Sequence, residues 1–324
     1  MGRLVDLVDA YQRRHRWAGT PIAVLYKYVD DRGGYLAALI TYYGFLSLFP
    51  LLLLLSTILN FVLAGDVHLQ QRVLNSALGQ FPIVGSQLRD PRGVSGSGVG
   101  LVIGILGTLY GGLGIGQAFQ YAMNTIWRVP INSRPNPLKS RGRSLLLLVV
   151  GGLLTLGTTV LSALGSSASA YGATVGVGIK VALIAAALAV NAAVFTLAFK
   201  VATARDLTIR EIAPGAIGAA LSWQILQTFG TVYIGHVVKH SSVTNSIFAL
   251  VLGLIAWIYL EALVVVFAAE YNAVRRLGLH PRSLMTPFTD NVDLTDGDRA
   301  AYRGQAKAER TKGFERIDVH FEDR

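Results

Sequence analysis

Residues 35–64 read YLAALITYYGFLSLFPLLLLLSTILNFVLA, thirty consecutive positions without a charged side chain. A helix needs roughly 20 apolar residues to cross about 30 Å of hydrocarbon, so this stretch is long enough to span a bilayer. Comparable stretches follow at Gly98–Thr125, Ser144–Ser169, Thr174–Val201, Ile212–Val238 and Ser246–Val274. Their recurrence predicts an all-α, polytopic membrane protein with a six-helix transmembrane bundle. With 52% hydrophobic and 15% charged residues, the chain is too apolar for an ordinary soluble domain of its 324 residues. Its thirty-five glycines run through the apolar stretches, where small residues let helix backbones approach closely. With no cysteine, disulfides, thiolate metal sites and cysteine nucleophiles are excluded.

Lysine and arginine set the expected orientation. They crowd into the arm before Gly34, the connection from Arg128 to Arg143, the connection Lys200–Arg210 and the tail from Arg275. The opposite loops hold only Arg72, Arg89, Arg92 and Lys239, with Lys180 inside the fourth span. Both termini are therefore expected to be cytoplasmic, and the net charge of +10 needs no nucleic-acid partner to explain it. The N-terminus has no secretory-signal pattern, so the first span is expected to insert uncleaved.

Three segments follow. Residues 1–34 form an arm in which Leu4, Leu7, Val8 and Tyr11 recur at helical spacing, the pattern of an amphipathic helix lying among headgroups. Residues 35–277 form the membrane domain. From Arg275 on, the chain carries ten basic and nine acidic residues, and residues 278–324 are expected to be a solvated, partly disordered tail. In the long loop 65–97, Leu69, Val73, Ala77 and Phe81 suggest a short helix ended by Pro82.

Three patches resemble the YihY/BrkB family of bacterial inner-membrane proteins, whose members are also labelled ribonuclease BN-like. The first is AALITYYGFLSLFP at Ala37–Pro50, similar to the family's A-x-x-x-x-Y-Y-x-x-x-S-x-F-P pattern. The second is AMNTIWRV at Ala122–Val129. The third joins Ala213-Pro214-Gly215-Ala216 to Trp257-Ile258-Tyr259-Leu260 and to Ala269-Glu270-Tyr271-Asn272-Ala273. Two positions depart from the family: His240–Asn245 stands where Tyr-Gly is common, and Ala268-Ala269-Glu270 replaces Gly-Ala-Glu. The resemblance implies a six-span fold in the inner membrane and an association with envelope integrity and virulence.

A carboxylate at mid-membrane costs about 2.5–3.5 kcal/mol on insertion scales, which makes Glu261, near the middle of the sixth span, the leading candidate for a function-bearing group. The competing reading is an acid retained to bind a neighbouring helix. Glu270, nine residues on, points the opposite way and reads as an anchor beside Arg275 and Arg276. Gln224, Gln227, Thr228 and Thr231 share one face of span five, and a polar stripe in lipid must face other helices or a wet cavity. Asn191 lies deep in span four. Tyr43, Ser47 and Pro50 share a face of span one, with Pro50 removing a backbone donor. The polar faces of spans four to six are expected to make a cavity for a lipid or other amphiphilic envelope molecule, with Glu261 as its ionisable group and the span-one kink at Pro50 allowing it to open. A non-transporting envelope scaffold is the rival reading.

The catalytic patterns are absent. Only His236 and His240 have ligand-like spacing among the histidines, and no H-E-x-x-H, nucleophile elbow or Walker loop occurs. No enzyme activity, cofactor, metal or nucleic-acid partner is expected.

Overall fold

The computed structural model describes residues 2–62, 98–152, 177–237 and 243–322. The helix expected around Leu69–Phe81, the outer loops and the far half of the third span lie outside them. Among the described residues the chain is helical, with no strand. In chain order the helices are α1 Gly2–Arg14, α2 Arg16–Asp30, α3 Gly33–Val62 and α4 Gly98–Ile126. Then come α5 at 137–152, α6 Val177–Ala202, α7 Ile209–Val237, α8 Val243–Leu277 and α9 Asp296–Ala308. Each expected apolar stretch falls on a helix where it is described, and α3 continues through Pro50 without a break. Among the described residues, Ile184–Ala202 and Val251–Leu277 are long and apolar enough to cross a membrane.

Helix α3 packs between α4 and α8; α8 also contacts α2 and α7, and α6 lies against α7 and α4. The glycines of α4 make these approaches possible. A Cβ on Gly111 would stand 2.7 Å from the Ser47 Cα of α3, and one on Gly116 would stand 2.6 Å from the Ser144 Cβ of α5. The core is lined by Ala118, Ala122, Met123 and Ile126 of α4, Phe195 and Phe199 of α6, Ala216 and Ala219 of α7, and Ala262 and Val266 of α8. Its small residues on α7 and α8 match what close helix packing in lipid requires.

The arm is two helices rather than one. Leu7, Val8, Tyr11, Trp17, Leu25 and Val29 remain exposed, while Ala23, Val24 and Lys27 are buried against α8 and the tail. An exposed apolar and aromatic side of this kind suits a headgroup layer.

The tail carries a helix of its own. Its helix α9 begins with a capping box in which Thr295 and Asp298 exchange hydrogen bonds. The buried Arg282 donates to Asp298 Oδ1 at 2.6 Å and to Asp30 Oδ2 at 3.0 Å, with its guanidinium over the rings of Tyr26 and Tyr302. Burial alone would depress the Arg282 pKa; hydrogen bonds and charge from Asp298 and Asp30 outweigh it and hold the value above the ordinary one. Arg282, Asp298 and Asp30 thus spend their charges on one another.

Helix α7 meets α8 where Asn272 grips the α7 backbone beside Pro214. Its Nδ2 donates to the Ile212 carbonyl at 2.7 Å and its Oδ1 accepts from Gly215 N–H at 2.8 Å. A Cβ on Gly215 would collide with the Ala268 carbonyl and the Asn272 amide. Gly215→Ala is therefore expected to destabilise the bundle by about 1–3 kcal/mol, as overpacking does. A lower thermal midpoint in detergent would show it, whereas Gly218→Ala, which meets open space, should change little.

Candidate functional site

Two carboxylates of α8 divide its polar chemistry. Glu270 is fully buried and accepts from Lys27 Nζ at 2.8 Å. The same amine, also fully buried, donates to the Ile126 carbonyl at 2.7 Å and pairs with Asp31. Glu270 is thus an internal ion-pair partner of the arm. Arg276 pairs with Glu211. Arg128, at φ 52, buries its guanidinium beneath α9 and donates to the carbonyls of Ala300 and Ala301. Burial lowers its pKa, partly offset by Asp31, Asp30 and Glu270.

Glu261 sits nine residues earlier, about 13 Å along the axis at 1.5 Å per residue. It is 8% exposed. Its Oε1 accepts from the Trp257 indole N–H at 2.7 Å and more weakly from the Gln227 amide of α7 at 3.4 Å. Both donors are neutral, and no cation pairs with this carboxyl among the described residues.

Asn191 belongs at the same level. Phe195 of α6 meets Trp223 of α7 edge-on at 5.9 Å. Because α6 and α7 run in opposite directions, one further turn along each away from their connection reaches Asn191 and Gln227. Asn191 is buried, and its Oδ1 has no hydrogen-bond partner among the described residues.

Of the remaining expected residues, Ser47 and Tyr43 lie elsewhere. Ser47 is buried at the α3–α4 crossing and donates to the Gly44 carbonyl at 3.0 Å. Tyr43 packs on Gly114 and reaches a different cleft, of about 350 Å³, lined also by Gln117, Gln120, Tyr121, Asn124 and Arg134. Gln224 lies on the exposed side of α7. The side chains of Pro50, Thr228 and Thr231 lie outside the described residues. A second cleft, of about 330 Å³, is lined by Arg143, Lys200 and residues 203–208.

Three residues that position these elements went unread in the sequence: Lys27, Asn124 and Asn272. Asn124 Oδ1 accepts from Ala204 N–H at 2.7 Å and so fixes the α6–α7 connection on the end of α4. The available signal was that Lys27 shares a helix face with Ala23 and Val24, a cation on the side that becomes buried. The resembling patches converge here: AMNTIWRV supplies Asn124, Ile126 and Arg128, while Pro214-Gly215 meets Asn272.

A helical membrane protein is the class these observations define. The family model for virulence factor BrkB matches residues 24–286, and the chain belongs to that family. The matched region runs from α2, through Lys27, past the end of α8 to Thr286. Among curated proteins, the ribonuclease-like protein YfkH of Bacillus subtilis is similar, 29% identical over 89 residues. That match spans 28% of this chain and 30% of the relative. No solved structure matches.

Lys27→Met leaves two buried acids without their amine, and loss of one partner from a buried pair costs about 3–5 kcal/mol. Glu270→Gln should cost less, since Asp31 still holds the amine. Unfolding of the two single variants and the double variant in detergent should be strongly non-additive; simple additivity would contradict the network.

Proposed function

We propose that this protein crosses the bacterial inner membrane six times, with both termini cytoplasmic, and moves or accommodates an amphiphilic envelope molecule such as a lipid. Two features support the topology. The arm, the α4–α5 and α6–α7 connections and the tail all meet at one end of the bundle, through Lys27 to Ile126, Arg128 to Ala300 and Ala204 to Asn124. These are also the segments in which lysine and arginine are concentrated.

The observation that carries the transport reading is the environment of Glu261. An acid at bilayer depth is a functional group by default, and this one is held by neutral donors where Glu270 has a cation. Asn191 supplies a second polar atom at that level, its Oδ1 without a hydrogen-bond partner among the described residues. A proton, a cationic headgroup or the polar part of an amphiphile would satisfy both. In this reading α6, α7 and α8 form the working half, and α2, α3, α4 and α9 hold it in place.

The second reading is a non-transporting scaffold for envelope assembly. The tight crossings at Ser47 and Gly111, and at Tyr43 and Gly114, favour it, because they make span one a packing element. Metal-dependent RNA hydrolysis is left out of both readings: among the described residues no three His, Asp or Glu side chains gather as metal ligands.

The test is fluorescent-lipid translocation in liposomes holding the full chain. The expected result is movement faster than in empty liposomes, reduced on the order of tenfold by Glu261→Gln, as expected for a group acting in proton or charge transfer. Movement no faster than in empty liposomes would favour the scaffold, and a Glu261→Gln variant as fast as wild type would remove Glu261 from the mechanism.

A further inference from the structure

The cleft of about 330 Å³ beside the α6–α7 connection brings three cationic side chains together. Arg143 enters it from α5, Lys200 from the last turn of α6, and Arg205 from the connection. Asp206 is the one acid among its lining residues. None of the three cations pairs with a carboxylate among the described residues, and Glu211, just beyond the cleft, is taken by Arg276. Arg143 Nη1 is buried there without a hydrogen-bond partner among the described residues. Such a donor lacks the acceptor that buried polar groups normally have.

The connection is held rigidly. Asn124 holds Ala204, and Ala202 and Leu207 are buried in the core on either side of Arg205. The cations are therefore presented on a fixed frame.

The flanks indicate the kind of anion. One turn from Arg143 on α5, Leu146 is 49% exposed, and one turn from Lys200 on α6, Leu197 is 46% exposed. Each leucine lies one turn further into the bundle than its cation, at the depth where acyl chains would lie. A soluble anion needs no such flank. Basic pockets between helix ends at a membrane surface are suited to acidic lipid headgroups.

We propose that this cleft binds the phosphate of an anionic phospholipid, with Arg143, Lys200 and Arg205 as donors and Leu146 and Leu197 against its acyl chains. The site rests on α5 and α6 spanning the bilayer and is independent of any role for Glu261. Held there, the lipid joins the entry of the third span to the exit of the fourth.

The test uses the full chain in neutral detergent, with native mass spectrometry reading retention of short-chain phosphatidylglycerol and phosphatidylcholine. Phosphatidylglycerol is expected to bind about tenfold more tightly or better. Lys200→Gln/Arg205→Gln, at two exposed positions whose loss leaves the core intact, should abolish most of that preference, and adding Arg143→Gln should abolish the rest. A charge-matched control, Lys139→Gln/Lys307→Gln, should keep the preference, as should Glu261→Gln. Equal binding of the two lipids, or equal loss in the control, would overturn the proposal. Displacement of phosphatidylglycerol by equimolar inorganic phosphate would assign the cleft to the free anion and overturn its lipid assignment.

Discussion

A primary amine buried among helices must find acceptors or make the fold untenable, and Lys27 finds three on three separate segments. Asp31 closes the arm on itself, the Ile126 carbonyl ties it to the end of α4, and Glu270 ties it to α8. Removing one ion of such a set leaves an uncompensated charge, which is far more damaging than the net worth of the pair. The interaction therefore acts as a constraint on arrangement. The arm can seat only where α4 ends and α8 passes, and α9 then seats on the arm through Arg282, Asp30 and Asp298. The termini-bearing end is thus a layered ionic plate from which the long helices project.

Against that plate, the two acids of α8 differ in a way that position alone would not predict. They lie on opposite sides of one helix. Glu270 meets a cation supplied by the arm, and its role is architectural. Glu261 meets an indole and an amide, and among the described residues no cation pairs with it. Asn272, eleven residues from Glu261 and so on the same face, is used wholly for gripping α7 beside Pro214. The face that joins α7 to α8 is mechanical near the plate and chemically available deeper in.

Much of the fold was legible because lipid imposes a simple rule. A spanning helix must be long, apolar and internally hydrogen-bonded, and that rule shows directly in stretches such as Tyr35–Ala64. The glycines of α4 were likewise readable as a contact surface, although periodicity could not say that Gly111 serves α3 while Gly116 serves α5. What escaped were partnerships between distant segments. Periodicity reports which face of a helix is apolar, and it is silent about what lies opposite. Lys27 was one more cation of the arm, and Glu270 read as an anchor near the cytoplasmic end with no partner named. The tail's balanced charge resembled that of a solvated chain, since composition does not distinguish ions facing water from ions facing each other. Of the expected cavity, Glu261 and Gln227 touch and Asn191 is level with them, whereas Tyr43 and Ser47 belong to packing.

The account depends most on the plate facing the cytoplasm and the bundle crossing the bilayer from it. The chain has no cysteine, so single cysteines report topology without background. Placed at Arg141, Arg205 and Lys312, they should react with a membrane-impermeant maleimide in inverted vesicles and stay protected in intact spheroplasts. Cysteines at Arg72 and Lys239 should show the reverse. Labelling of Arg205→Cys from outside, or of the two groups from the same side, would contradict the account.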